Sequence, residues 1–172
     1  MGDRRAGLLG LGLVLAAAGC KPTWPRYEAP DGTFSAELPP PIRAEAERTE
    51  GNQRLLSIES RGTEDQAFLV QRRRPTPGRR LDPQGVLDGF CAEFARARGY
   101  QIAADARGKR SDGREAQTCA FHAQGLEIRI QVVAAGQCVY TLMGMWRGAA
   151  PDVDRFLDGF RVARDCEADE RP

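Results

Sequence analysis

AQTCAFHAQGLEIRIQVVAAGQCVYTLMGMW, residues 116–146, holds the clearest β pattern in the chain. Leu126, Ile128, Ile130 and Val132 alternate with Glu127, Arg129 and Gln131, the period of two that marks a strand with one buried face. Turn residues at Gln124-Gly125 and Gly136-Gln137 separate this segment from Ala116 to His122 on one side and Cys138 to Trp146 on the other, so the block reads as a three-stranded antiparallel meander. Upstream, Asp82 is placed to cap a helix with Pro83 at its first position and Gly99 at its end, which predicts a helix over Pro83 to Arg98. At 100° per residue, Val86, Leu87, Phe90, Phe94 and Ala97 fall in one apolar stripe with Cys91 at its edge. Downstream, Pro151 opens a second helix with Asp152 and Asp154 in its first turn and Val153, Phe156, Leu157 and Phe160 on one stripe. Shorter strands are expected over Tyr27 to Pro39, where a Pro-Asp-Gly turn precedes Phe34, Ala36 and Leu38, and over Leu55 to Glu59 and Ala67 to Gln71. From Ala163 the chain turns polar and reads as loose except at Cys166. The fold class is therefore α+β, an antiparallel sheet with helices packed on it.

The first twenty residues differ in kind. Asp3, Arg4 and Arg5 precede a run from Ala6 to Ala18 made of Ala, Gly, Leu and Val alone, which is the layout of an export signal. The run is shorter than the ~20 residues needed to cross a hydrocarbon core, and the sequence turns polar at Lys21. Leu15-Ala16-Ala17-Ala18-Gly19-Cys20 resembles the bacterial lipobox, with Ala17 where Leu is usual. The resemblance implies that Cys20 carries a diacylglycerol and a further acyl chain after cleavage, enough for stable membrane attachment. An ordinary secretory signal is the alternative. Lys21 follows Cys20 where an Asp would resemble an inner-membrane retention signal, which favours the periplasmic face of the outer membrane. This divides the chain into a signal at residues 1–19, a lipidated tether at 20–26, one domain at 27–166 and a loose tail at 167–172.

Without Asp3, Arg4 and Arg5, the chain's 25 basic and 24 acidic side chains become 23 of each. A near-neutral protein lacks the electrostatic footprint of nucleic-acid binding. Cys91, Cys119, Cys138 and Cys166 form an even set in an exported chain and are disulfide candidates. Cys119 and Cys138 stand on strands two steps apart, roughly 10 Å at ~4.8 Å per step, beyond the ~7 Å limit for a bridge. Cys91 should pair with one of them and Cys166 with the other.

His122 is the only histidine, and Cys119 precedes it by three residues, an odd separation that turns the two side chains to opposite faces of one strand. Neither a Cys-His nucleophile nor a zinc shell follows, so no catalytic residue, metal or cofactor is expected. Ser35, Ser57, Ser60 and Ser111 lack a Gly-x-Ser-x-Gly setting. Arg72, Arg73, Arg74, Arg79 and Arg80 flank Pro75 to Gly78 and read as a basic loop that could touch an anionic membrane surface, each cation contributing ~1 kcal/mol.

The YxxPDGxFSxxLP opening at Tyr27 to Pro39, the Cys-Val-Tyr-Thr-Leu strand at 138–142 and the closing Arg-Phe-Leu-Asp-Gly-Phe at 155–160 resemble small exported domains related to the PsbP-like α/β/α sandwich. The resemblance spans Tyr27 to Val162 and implies a sheet with helices on both faces. It implies no activity, because the fold hosts unrelated functions. Together these readings describe a lipid-anchored periplasmic envelope protein with a non-enzymatic binding or scaffold domain and an envelope protein as possible partner. An enzyme of unrecognised type and a purely structural lipoprotein are the alternatives.

Overall fold

The computed structural model describes residues 23–167. In chain order the elements begin with β1 (Arg26–Glu28) and β2 (Phe34–Glu37), joined by the Pro-Asp-Gly turn. Next come the short β3 (Ile42–Ala44) and β4 (Arg48–Glu50), then β5 (Gln53–Ser60) and β6 (Gln66–Pro75). Helix α1 (Pro83–Arg98) leads into β7 (Gln101–Lys109). The meander is β8 (Glu115–Ala123), β9 (Leu126–Ala135) and β10 (Cys138–Trp146), followed by α2 (Val153–Gly159) and β11 (Arg161–Val162).

The large sheet runs β3-β5-β6-β10-β9-β8-β7, with β4 also paired to β5, and every pairing is antiparallel. Alternation along β9 and β10 sends side chains to two separate cores. On one face Ile128, Ile130, Val132 and Val139 pack under Leu87, Cys91 and Ala95 of α1. On the other, Tyr140, Leu142, Phe68 and Val70 pack under Phe34, Ala36 and Leu38 of β2 and under Val153, Phe156 and Leu157 of α2. A sheet buried on both sides by different layers explains why β10 reads as nearly continuous apolar sequence. The layer opposite α1 is shared between α2 and a three-stranded sheet, β1-β2-β11, which the sequence did not announce as a separate sheet.

α1 has the expected bounds. The Asp82 side chain accepts from the Gly85 amide at 3.0 Å, and Gly99 ends the helix with φ 69°. The buried row is Leu87, Cys91 and Ala95, however, with Ala97 exposed. Cys91 stands in the middle of the stripe because its bond to β8 turns that i, i+4 row onto the sheet. Helix α2 begins at Val153 with Asp152 as its cap, accepting from the Arg155 amide at 3.1 Å, so Pro151 lies just outside it.

One boundary shifts, and the stretch from Ala163, read as loose, is held. Trp24 to Arg26, assigned to the tether, are part of the packed domain: Trp24 meets the Phe68 ring edge-on at 5.6 Å, Leu38 donates to the Pro25 carbonyl at 3.2 Å, and Arg26 opens β1. β11 pairs with β2, the Ala163 amide donates to Thr33 at 2.9 Å, and the Gln137 amide donates to the Cys166 carbonyl at 2.8 Å.

Candidate functional site

The five arginines expected to form a basic loop do not share a surface. Arg72, Arg73 and Arg74 lie inside β6, so alternation places Arg72 and Arg74 on the face of the small sheet and Arg73 on the face of α1. Arg72 is 2% exposed. It donates to Asp31 at 2.5 Å, Thr33 Oγ1 at 2.6 Å and Glu47 at 2.9 Å, and its guanidinium lies 5.9 Å from the centre of the Phe34 ring. Arg74 grips the same Glu47 with both ends of its fork, at 2.9 and 2.5 Å. Only Arg79 and Arg80 stand exposed in the loop after β6. The expected membrane-contact loop is corrected accordingly: two of its five cations, Arg72 and Arg74, are neutralised by Asp31 and Glu47, because a charge taken into the core needs a partner there.

Burial alone would raise the Asp31 and Glu47 carboxyls. Hydrogen bonds and charge outweigh it, from Thr33 and Arg72 at Asp31 and from Arg74 and Arg72 at Glu47, and hold both below their ordinary values. The Pro-Asp-Gly turn was legible as a turn. Its pairing with an arginine 41 residues away was not, since no local pattern encodes it.

All four cysteines among the described residues are bridged. Cys91 pairs with Cys119, with Cα atoms 5.9 Å apart, and Cys138 with Cys166 at 5.4 Å. The bridges lie on opposite faces of the large sheet, the first fastening α1 to β8 and the second fastening the tail to the start of β10. With Cys119 committed to a bridge, a thiolate is not on offer there. His122 is exposed on the other face and pairs with Glu127. No group of three or more His, Cys, Asp or Glu among the described residues is arranged to hold a metal. Arg110 is structural: its buried guanidinium donates to the carbonyls of Leu157 at 3.2 Å and Phe160 at 2.9 Å, closing the end of α2.

Cys20 lies outside the described residues, but the chain enters the domain only four residues later. Trp24 is wedged between Phe68 and the Arg155 guanidinium, which lies 4.7 Å from the indole centre. It borders a groove of about 450 Å³ with Pro39, Pro40, Pro151 and Gln66. Gln66 is shared with a neighbouring cleft lined by Arg61 and Arg147. Arg147 is shared in turn with a third cleft, of about 640 Å³, between the end of α1 and the β8–β9 turn. All three open at the end of the sheet where β5, β8 and β10 finish. Arg74 lies towards the opposite end, eight residues along β6 from Gln66, or roughly 26 Å at ~3.3 Å per residue, and Arg79 and Arg80 follow beyond the end of the strand.

No protein-family model matches the chain, and no curated protein matches it in sequence. Among solved structures it is similar to the solution structure of cyanobacterial PsbP (CyanoP) from Synechocystis sp. PCC 6803. The match has a TM-score of 0.58 at 11% identity and covers 87% of this chain and 98% of that one. The antiparallel α+β sandwich of residues 23–167 is therefore a PsbP-like fold.

Proposed function

We propose that the protein is an exported, lipid-anchored domain of the bacterial envelope that works by binding and not by catalysis. The anchor is Cys20, and the setting is the periplasmic face of the outer membrane. The observation that carries this reading is the cysteine arrangement: the four in the domain are consumed in two bridges, as an oxidising compartment allows, while Cys20 sits apart at the end of an export-type apolar run. The early docking of Trp24 supports it, because only residues 20–23 remain as tether, a reach of ~14 Å at ~3.3 to 3.6 Å per residue. A binding role is supported by the buried charged groups Arg72 and Arg110, which are spent on tying strands and loops together.

Mass spectrometry of the protein recovered from membranes tests the anchor. The expected result is a chain beginning at Cys20 with two or three acyl chains, found in the outer-membrane fraction, and a Cys20→Ser chain that is neither acylated nor cleaved there. A mature chain with an unmodified thiol at Cys20 would overturn the proposal. Affinity capture from cross-linked envelopes, compared with the Cys20→Ser chain, tests the binding role through a protein retained only by the anchored form.

A further inference from the structure

The cleft between the end of α1 and the β8–β9 turn has an unusual inventory of charge. Arg98 and Arg147 both line it, His122 and Tyr100 stand beside them, and no carboxylate belongs to its lining. Elsewhere several strand and turn arginines are matched: Arg72 with Asp31, Arg74 with Glu47, Arg107 with Asp88, Arg114 with Asp165 and Arg129 with Asp154. Neither Arg98 nor Arg147 is within ion-pair distance of a carboxylate among the described residues. Glu127, which faces Trp146 across β9 and β10, is held by His122.

We propose that this cleft binds a phosphate group, and that the phosphate it meets in place belongs to a lipid headgroup. Two arginines lining one concavity of about 640 Å³ suit a tetrahedral oxyanion, because a planar guanidinium fork can donate two parallel hydrogen bonds to a pair of phosphate oxygens. Tyr100 adds a further polar group, while His122 is already engaged by Glu127. Leu126 and Arg147 are shared with the neighbouring cleft, whose lining mixes Arg61 with Glu64 and Asp65 and which reaches the Trp24 groove through Gln66, so the cation-only lining is confined to the cleft of Arg98 and Arg147. The choice of a lipid source rests on the proposed anchor, since the tether root and this cleft open at the same end of the sheet. Arg98 also sits in the last turn of α1, where a cation favours the helix dipole, so its role in folding must be separated from binding.

The test uses the full chain carrying Cys20→Ser, in non-ionic detergent, with arginine side chains labelled for nuclear magnetic resonance. Titration with inorganic phosphate at constant ionic strength should shift the Nε–H signals of Arg98 and Arg147 together and saturably. Arg98→Gln or Arg147→Gln should each weaken binding roughly tenfold, the equivalent of one charge-assisted contact. The double variant, read at the backbone amide signals of Gly99, Tyr100 and Gly125, which line the cleft, should show no saturable shift, while the thermal midpoint of Arg147→Gln stays unchanged. The same labels are then read in bilayer discs of phosphatidylglycerol and of phosphatidylcholine. If phosphatidylglycerol discs shift both signals and added phosphate moves them no further, the ligand is the headgroup. If phosphate still titrates them in the discs, the cleft takes soluble phosphate. Shifts that never saturate, or that persist unchanged in the double variant, overturn the proposal. Failure of the anchor would appear separately, as an unmodified Cys20 in the mass measurement, and would leave the phosphate titration standing.

Discussion

Arg72 is a cation kept in a core by three oxygen partners and an aromatic face. Replacing it with Ala leaves Asp31 and Glu47 with one fewer partner and opens space beside Phe34. Both carboxylates keep some access to water, so the loss is expected towards the lower end of the ~3 to 5 kcal/mol seen when a buried pair is broken. Chemical denaturation of the Arg72→Ala protein measures it, and a loss under ~1 kcal/mol would show the network to be slack. The same residues set an acid sensitivity. Asp31 and Glu47 titrate below their unfolded values, near 3.9 and 4.3, so their contribution is complete above about pH 4.5 and disappears as pH falls through the lower folded-state values. The thermal midpoint should drop across that acidic window, and the drop should be shallower in Arg72→Met, where less depression remains to be lost.

At the scale of elements, local signals succeeded where the cause is local. Asp82, Pro83 and Gly99 marked both ends of α1 because a cap, a fixed φ and a left-handed stop act within one turn; Asp82→Ala should cost about 1 kcal/mol by denaturation. Strand β7 shows the opposite case. All nine residues of QIAADARGK are exposed, so they carry no apolar alternation, and the strand exists only because β8 offers an edge to pair with. The short β3 and β4 likewise borrow their shape from β5. The run Arg72 to Arg74 read as a loop because three cations in a row hide the alternation of β6, whose partners arrive from Asp31 and Glu47 far along the chain. The Gly136-Gln137 turn was legible, yet not its second duty. Gly136 has φ 60°, and a Cβ there would lie 2.3 Å from the Cys166 carbonyl oxygen. Gly136→Ala should therefore destabilise by ~2 kcal/mol or more, through strain and through displacement of the tail. A stability within ~0.5 kcal/mol of the parent would mean that the tail is not seated there.

Across the whole molecule, the two bridges enclose loops of equal length, each with a sequence separation of 28. Loop entropy assigns each about 3 to 4 kcal/mol, so Cys91→Ala/Cys119→Ala and Cys138→Ala/Cys166→Ala proteins should lose similar stability in denaturant. A difference beyond ~1.5 kcal/mol would locate an additional contribution in one of the two cores. The pairing has a further consequence for assembly. Both bonds join cysteines that are consecutive within the domain, so a chain crossing a membrane from its N-terminus and oxidised as each thiol emerges makes 91–119 before Cys138 arrives, then 138–166. An oxidant suffices for that order, and no reshuffling of wrong bonds is required. The order holds only if Cys20, which emerges before all of them, is already blocked: as a free thiol it would be the first partner offered to Cys91. Under the proposed lipoprotein reading, acylation would then serve the fold as well as the anchor, by withdrawing the one thiol able to derail the sequence of oxidation.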